Sequence, residues 1–168
     1  MILGMTPRSI DISVGSGLAR MDHRLEMADE PVVYVATPGR RSALARGAVV
    51  DIVTDASSRV RAVVVEPAGA PAIPAGRHPW DAFGAGARVA SGRLTAVWPH
   101  ELVLAAAATT VRANIDPHVP IVVLRRGSRA DLLTQRRAVI DVRRDGGAAE
   151  DVLRSAIVGA VEAFAPPL

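Results

Sequence analysis

The sequence predicts an α/β domain: a mainly parallel sheet flanked by helices on both faces, with at least one antiparallel hairpin in the N-terminal half. Three observations carry that expectation. The runs 121–124 (IVVL) and 138–142 (AVIDV) are short, apolar and β-branched, the pattern of strands buried on both faces. The segment between them is long enough for a short helix, and a helical crossover would make the two strands parallel neighbours. Near the C-terminus, Val152, Leu153, Ala156, Ile157, Ala160, Val161 and Phe164 recur at i, i+3, i+4 spacing, which predicts an amphipathic helix over 148–164.

Taken in order, residues 9–14 alternate Ile10, Ile12 and Val14 and read as a strand, followed by a turn at Gly15-Ser16-Gly17. Residues 18–30 fit either a helix face (Leu18, Met21, Leu25, Ala28) or a hairpin strand (Ala19, Met21, Leu25, Met27), with the helix preferred. A strand over 32–36 ends at Thr37-Pro38-Gly39. Strands over 49–53 and 60–65 flank Asp55-Ala-Ser-Ser58, a hairpin loop. Residues 67–86 form a Pro/Gly/Ala-rich internal loop between two halves of a single domain spanning 1–168, with Trp80 and Phe83 placed to pin it to the body. A strand over 94–98 precedes Pro99, which is suited to open a helix carrying Leu102, Val103, Ala106 and Thr110. Asp116-Pro117 stops it. Ser128, three residues before Asp131, resembles a capping box in front of Ala130, Leu132 and Leu133, although Asp is shorter than the usual partner. Pro31-Val-Val-Tyr-Val and Pro120-Ile-Val-Val-Leu open two similarly worded βαβ units.

At 168 residues the chain has room for a full core, built of Val, Ala, Leu and Ile because aromatics make up only 3%. All 20 basic residues are arginine, and the net charge of +3 gives little support for a nucleic-acid partner. The chain contains no cysteine, which removes disulfides, thiolate metal sites and thiol nucleophiles. No apolar run is long enough to span a bilayer and MILGMTPRS lacks the features of a secretory signal, so the expectation is a cytoplasmic protein with no membrane contact.

In open α/β sheets ligands gather beyond the carboxyl ends of strands. That rule selects Arg125, Arg126, Ser128 and Arg129 after one strand and Arg40, Arg41 and Ser42 after another. It also selects His100 beside Glu101 as the histidine to test as a general base. Helix N-termini and bidentate guanidinium groups together suit phosphate or carboxylate. Gly15-x-Gly17 lacks the third glycine and the acid of a dinucleotide site. Thr37-Pro38-Gly39-Arg40 resembles the backbone-binding motif of DEAD-box RNA helicases over those four residues, without the nucleotide-binding lysine loop. The four histidines have no metal-ligand spacing, and no serine sits in a nucleophile elbow. Asp51 and Asp141, inside predicted strands, are expected to be solvated at an edge or paired with arginine. The leading expectation is therefore a protein that binds an anionic or phosphorylated small ligand at an Arg-rich edge, its cofactor and reaction unspecified. The alternative is a non-catalytic oligomeric assembly or regulatory subunit, built as a homo-oligomer.

Overall fold

The computed structural model describes residues 1–14, 19–68, 87–107, 109–132, 137–144 and 151–159. Among these it contains eleven strands, two single 3-10 turns (Arg41–Ala43 and Arg129–Asp131) and no α-helix. The strands are β1 (Ile2–Met5), β2 (Ser9–Val14), β3 (Met21–Pro38), β4 (Val49–Thr54), β5 (Val60–Val65), β6 (Arg88–Trp98), β7 (Glu101–Ala106), β8 (Thr109–Asn114), β9 (Ile121–Arg126), β10 (Ala138–Arg144) and β11 (Asp151–Gly159). The chain forms two compact units, one from residues 1–35 and 126–161, the other from residues 36–125 and 162–168.

In the first unit, β1, β2 and the start of β3 form an antiparallel meander, and β10 and β11 form an antiparallel hairpin whose β11 also pairs with β3. Alternation sets which residues face inward: Ile10, Ile12, Leu25, Met27, Val33 and Val35 join Ile2, Leu132, Ala156 and Val158 in one core cluster.

In the second unit the strand order is β9-β5-β4-β6-β7-β8, with every neighbouring pair antiparallel except β5 and β9. The two faces of its centre differ. Val50, Ile52, Val63 and Val65 join Leu94, Leu102 and Leu104 in an apolar cluster. The register Asp51↔Val64 and Asp51↔Ser91 sets Val49, Asp51, Val53, Val64 and Ser91 on the opposite face. That second face is buried as well. Where Gly92 sits in β6 the next strand passes so close that a Cβ would stand 2.3 Å from the Ala105 carbonyl oxygen.

The α/β expectation is overturned: the sheet is mostly antiparallel and the expected flanking helices are strands. Runs 121–124 and 138–142 are not parallel neighbours. β9 lies parallel to β5, and β10 pairs antiparallel with β11. The inference failed because burial on both faces is a property of coverage, and β4 and β5 show that antiparallel strands can have it too. Residues 101–106 and 109–114 form a hairpin in place of the helix after Pro99. Leu102 and Leu104, two residues apart, both reach the core, and that spacing of two outweighs the helical spacing of Leu102, Val103 and Ala106. The helix preferred for 18–30 is, over 21–30, the first part of β3, with Leu25 and Met27 inward as the strand alternative required but Ala19 and Met21 exposed. The C-terminal amphipathic helix is, over its described residues, β11. Ala156, Ile157 and Val158 are consecutive and all buried, which a single helical stripe does not accommodate.

Other expectations hold. The hairpin of β4 and β5 pairs Val50 with Val65 and Val53 with Ala62, and residues 9–14 form β2. The turn at 15–17 and the loop with Trp80 and Phe83 lie outside the described residues. Among the described residues, no helix is long and apolar enough to cross a membrane.

Candidate functional site

The arginine-rich residues occupy exposed turns with structural duties. In the second unit Arg40 precedes the 3-10 turn that contains Arg41 and Ser42. The Arg41 guanidinium donates to the carbonyl oxygens of Trp98 (2.9 Å) and Pro99 (2.6 Å). It thereby ties that turn to the β6–β7 corner where His100 stands exposed, a corner also held by the Ile115 N–H donating to the His100 carbonyl. Arg125 is exposed at the end of β9. In the first unit, the Arg126 guanidinium lies 5.6 Å from the centre of the Tyr34 ring, a cation–π contact. Arg129 donates to the carbonyl oxygens of Thr6 and Pro7. Ser128 and Asp131 do form the expected local bonds: the Asp131 carboxylate accepts from the Ser128 N–H at 2.8 Å and lies 3.1 Å from its hydroxyl. Arg40, Arg41, Ser42, His100 and Arg125 therefore belong to one unit, and Arg126, Ser128 and Arg129 to the other. Neither turn continues into an α-helix, so the free N–H groups and dipole of a helix start, which the anion reading invoked, are missing there.

A different group stands out chemically. Asp51 in mid-β4 is fully buried, Ser91 in β6 is 4% exposed, and Glu66, immediately after β5, is 6% exposed. The Glu66 N–H donates to the Val49 carbonyl at 2.9 Å, continuing the β4–β5 ladder one residue past the strand end. Asp51 opposes Val64, and Glu66, two residues on, shares its face as a diagonal neighbour. Ser91, directly across from Asp51 on the other side, donates its hydroxyl to Asp51 Oδ1 at 2.5 Å.

Two carboxylates this close cannot both be charged at low cost. Burial, then the charge of Asp51, then a hydrogen bond to Asp51 push the Glu66 carboxyl up to about 7. The pair shares a proton through much of the neutral range. Among the described residues Glu66 Oε1 is buried without a hydrogen-bond partner, and an unsatisfied buried acceptor costs roughly 1–3 kcal/mol. The chain surfaces at once beyond it: Pro67 is half-buried and Ala68 exposed. Asp51 is thus neither at an edge nor solvated. Glu66 was not singled out from the sequence. Closing the hairpin around 55–58 in even register would set Asp51 opposite Val63; the register shift between Val53 and Thr54 is what brings Glu66 to the diagonal of Asp51.

Comparison with family models, with curated proteins and with solved structures finds no match.

Proposed function

We propose that this protein binds a small ligand bearing an ammonium or guanidinium group at Glu66, with Asp51 and Ser91 behind it. The observation that carries the reading is the buried Glu66 Oε1, without a hydrogen-bond partner among the described residues, beside a second carboxylate. A cationic N–H donor would satisfy that oxygen and replace the shared proton as the neutralising charge. Ser91 holds one oxygen of Asp51, which fixes the orientation of that carboxylate. The chain emerges to the surface immediately after Glu66, at Pro67 and Ala68. A cytoplasmic setting belongs to the same proposal.

Because the cation takes the place of a proton, binding below pH 7 releases one, and affinity rises as pH approaches 7 from below. Calorimetric titration with methylamine, ethanolamine and guanidinium, in two buffers of different ionisation enthalpy, reads both effects. Binding with proton release at pH 6, lost in Glu66→Gln, supports the proposal. Absence of binding by all three cations, or binding that Glu66→Gln leaves unchanged, overturns it. Inorganic phosphate is the opposing arm. Heat with phosphate that Arg40→Ala or Arg125→Ala removes supports the anion reading, which now rests on guanidinium groups alone.

A further inference from the structure

β8 forms the end of its unit's strand order and, among the described residues, pairs on one side only, with β7. Its register with β7 is unbroken from Glu101↔Asn114 to Ala106↔Thr109, so no bulge twists the edge away. It contains no proline. Its one charge, Arg112, is already neutralised by Glu101 at 3.3 Å. β1 of the other unit, by contrast, is four residues long and bulged between Ile2 and Gly4. The devices that ordinarily prevent an edge from recruiting another strand are absent from β8.

We propose that β8 pairs with β8 of a second copy of this chain, antiparallel, about a two-fold axis at Val111. The backbone restricts the register, and the side chains then choose within it. The Ile115 N–H donates to the His100 carbonyl, so that opposed pair is a hydrogen-bonded one. Alternation then turns the N–H and C=O groups of Thr109, Val111 and Ala113 toward β7, and those of Thr110, Arg112 and Asn114 outward. Two copies can pair only with their outward groups opposed, which places the axis at a residue rather than between residues. An axis at Arg112 sets two guanidinium groups directly opposite each other, a destabilising pair. An axis at Val111 sets Thr110 against Arg112 of the second copy, twice, and Val111 against Val111. Val111 and Ala113 are half-buried at the margin of the unit's apolar cluster, so this register continues that core from one copy into the next. A six-residue edge is a small interface, and the dimer is reversible and concentration-dependent.

Sedimentation velocity on the full chain from roughly 10 µM to 1 mM, a span of two decades in dissociation constant, shows the association directly. Thr110→Pro removes an outward N–H while leaving the β7 ladder its donors, and raises the dissociation constant at least tenfold. The cysteine-free chain supplies a second readout. Val111→Cys sits across the axis at a separation of about 4.5 Å between Cα atoms and oxidises to a covalent dimer. Ala113→Cys, about 13 Å from its own copy in this register, does not. A chain that stays monomeric at 1 mM overturns the proposal. So does a dimer insensitive to Thr110→Pro that crosslinks no better through residue 111 than through residue 113.

Discussion

The two ends of the β4–β5 hairpin hold carboxylates in opposite circumstances. At the closed end, Asp55 accepts from the Ser57 N–H (3.0 Å), the Ser57 hydroxyl (2.6 Å) and the Arg59 N–H (3.0 Å). Those bonds, led by the Ser57 hydroxyl, hold its carboxyl below the usual range. At the open end, Glu66 has burial and a neighbouring anion, and its carboxyl is pushed up to about 7. The same pair of strands thus keeps one acid charged and the other neutral. What differs is the supply of donors. The turn backbone points N–H groups at Asp55, whereas the strand backbone around Glu66 spends its N–H groups on the ladder.

The largest expected effect follows from Glu66. Its folded carboxyl titrates near 7 against 4.5 for the ordinary value. Between those pH values the folded chain holds more protons than the unfolded one, so stability falls as pH rises through the window and levels off above it. The whole span is on the order of 2–3 kcal/mol. Denaturant unfolding from pH 4.5 to 8 should show that decline, and Glu66→Gln should flatten it and be the more stable protein at pH 8. A native profile without decline over this range would mean the pair is solvated in solution and the contrast between the hairpin ends is lost.

Asp51→Asn sharpens the comparison by separating the causes. It removes the second-ranked cause, the charge of Asp51, and leaves burial, the first. The Glu66 titration should move down only part of the way, and the fall in stability across the window should shrink by roughly 1 kcal/mol. Carboxyl resonances of Glu66 followed by NMR read the midpoint directly. Full return to the ordinary value would make the neighbouring charge the dominant cause.

These carboxylates also show what could and could not be read from the chain. The β4–β5 hairpin was legible because a turn with Asp55, Ser57 and Ser58 separates two β-branched runs, and Ser58 adopts the left-handed conformation such loops need. The hairpin alone does not give Glu66, because the one-residue register shift between Val53 and Thr54 decides which residue of β5 faces Asp51. The parallel α/β architecture was misread because runs rich in alanine and valine satisfy helix and strand spacing equally. Only long-range pairing, such as β5 with β9, decides between them. The helix starts that the arginine argument invoked were misread for the same reason: two 3-10 turns stand there. No local pattern announces that Arg41 and Arg129 close on backbone carbonyls far along the chain.

At the closed end, Asp55→Ala should act on the acid side alone. A carboxyl held below its unfolded value contributes stability above that value and loses it as pH falls through the folded one. Native and variant profiles should therefore converge at strongly acidic pH and stay a constant distance apart from about pH 5 upward. Asp55→Asn, which keeps an acceptor oxygen for the Ser57 and Arg59 N–H groups, should recover most of the difference. Equal loss in both variants would assign the effect to charge, with Arg61 at 4.0 Å as the partner, and not to the donated bonds.

Ser128→Ala is expected to give the smallest effect, and it tests whether donors to a half-buried carboxylate in a turn matter. Asp131 is half-buried and takes the Ser128 N–H at 2.8 Å, a bond the substitution leaves in place. The hydroxyl contact at 3.1 Å is lost, and with it the hydroxyl's half of the capping box toward the Asp131 N–H. The turn it serves is three residues long and donates few free N–H groups, so the loss should lie at or below the low end for a cap, about 0.5 kcal/mol. Thermal unfolding at pH 7 should find the variant within a few degrees of the native protein. A drop as large as a buried acceptor gives would show that the donor supply at this turn holds more than the turn: Leu132, fully buried immediately after it, would then be losing its place in the core.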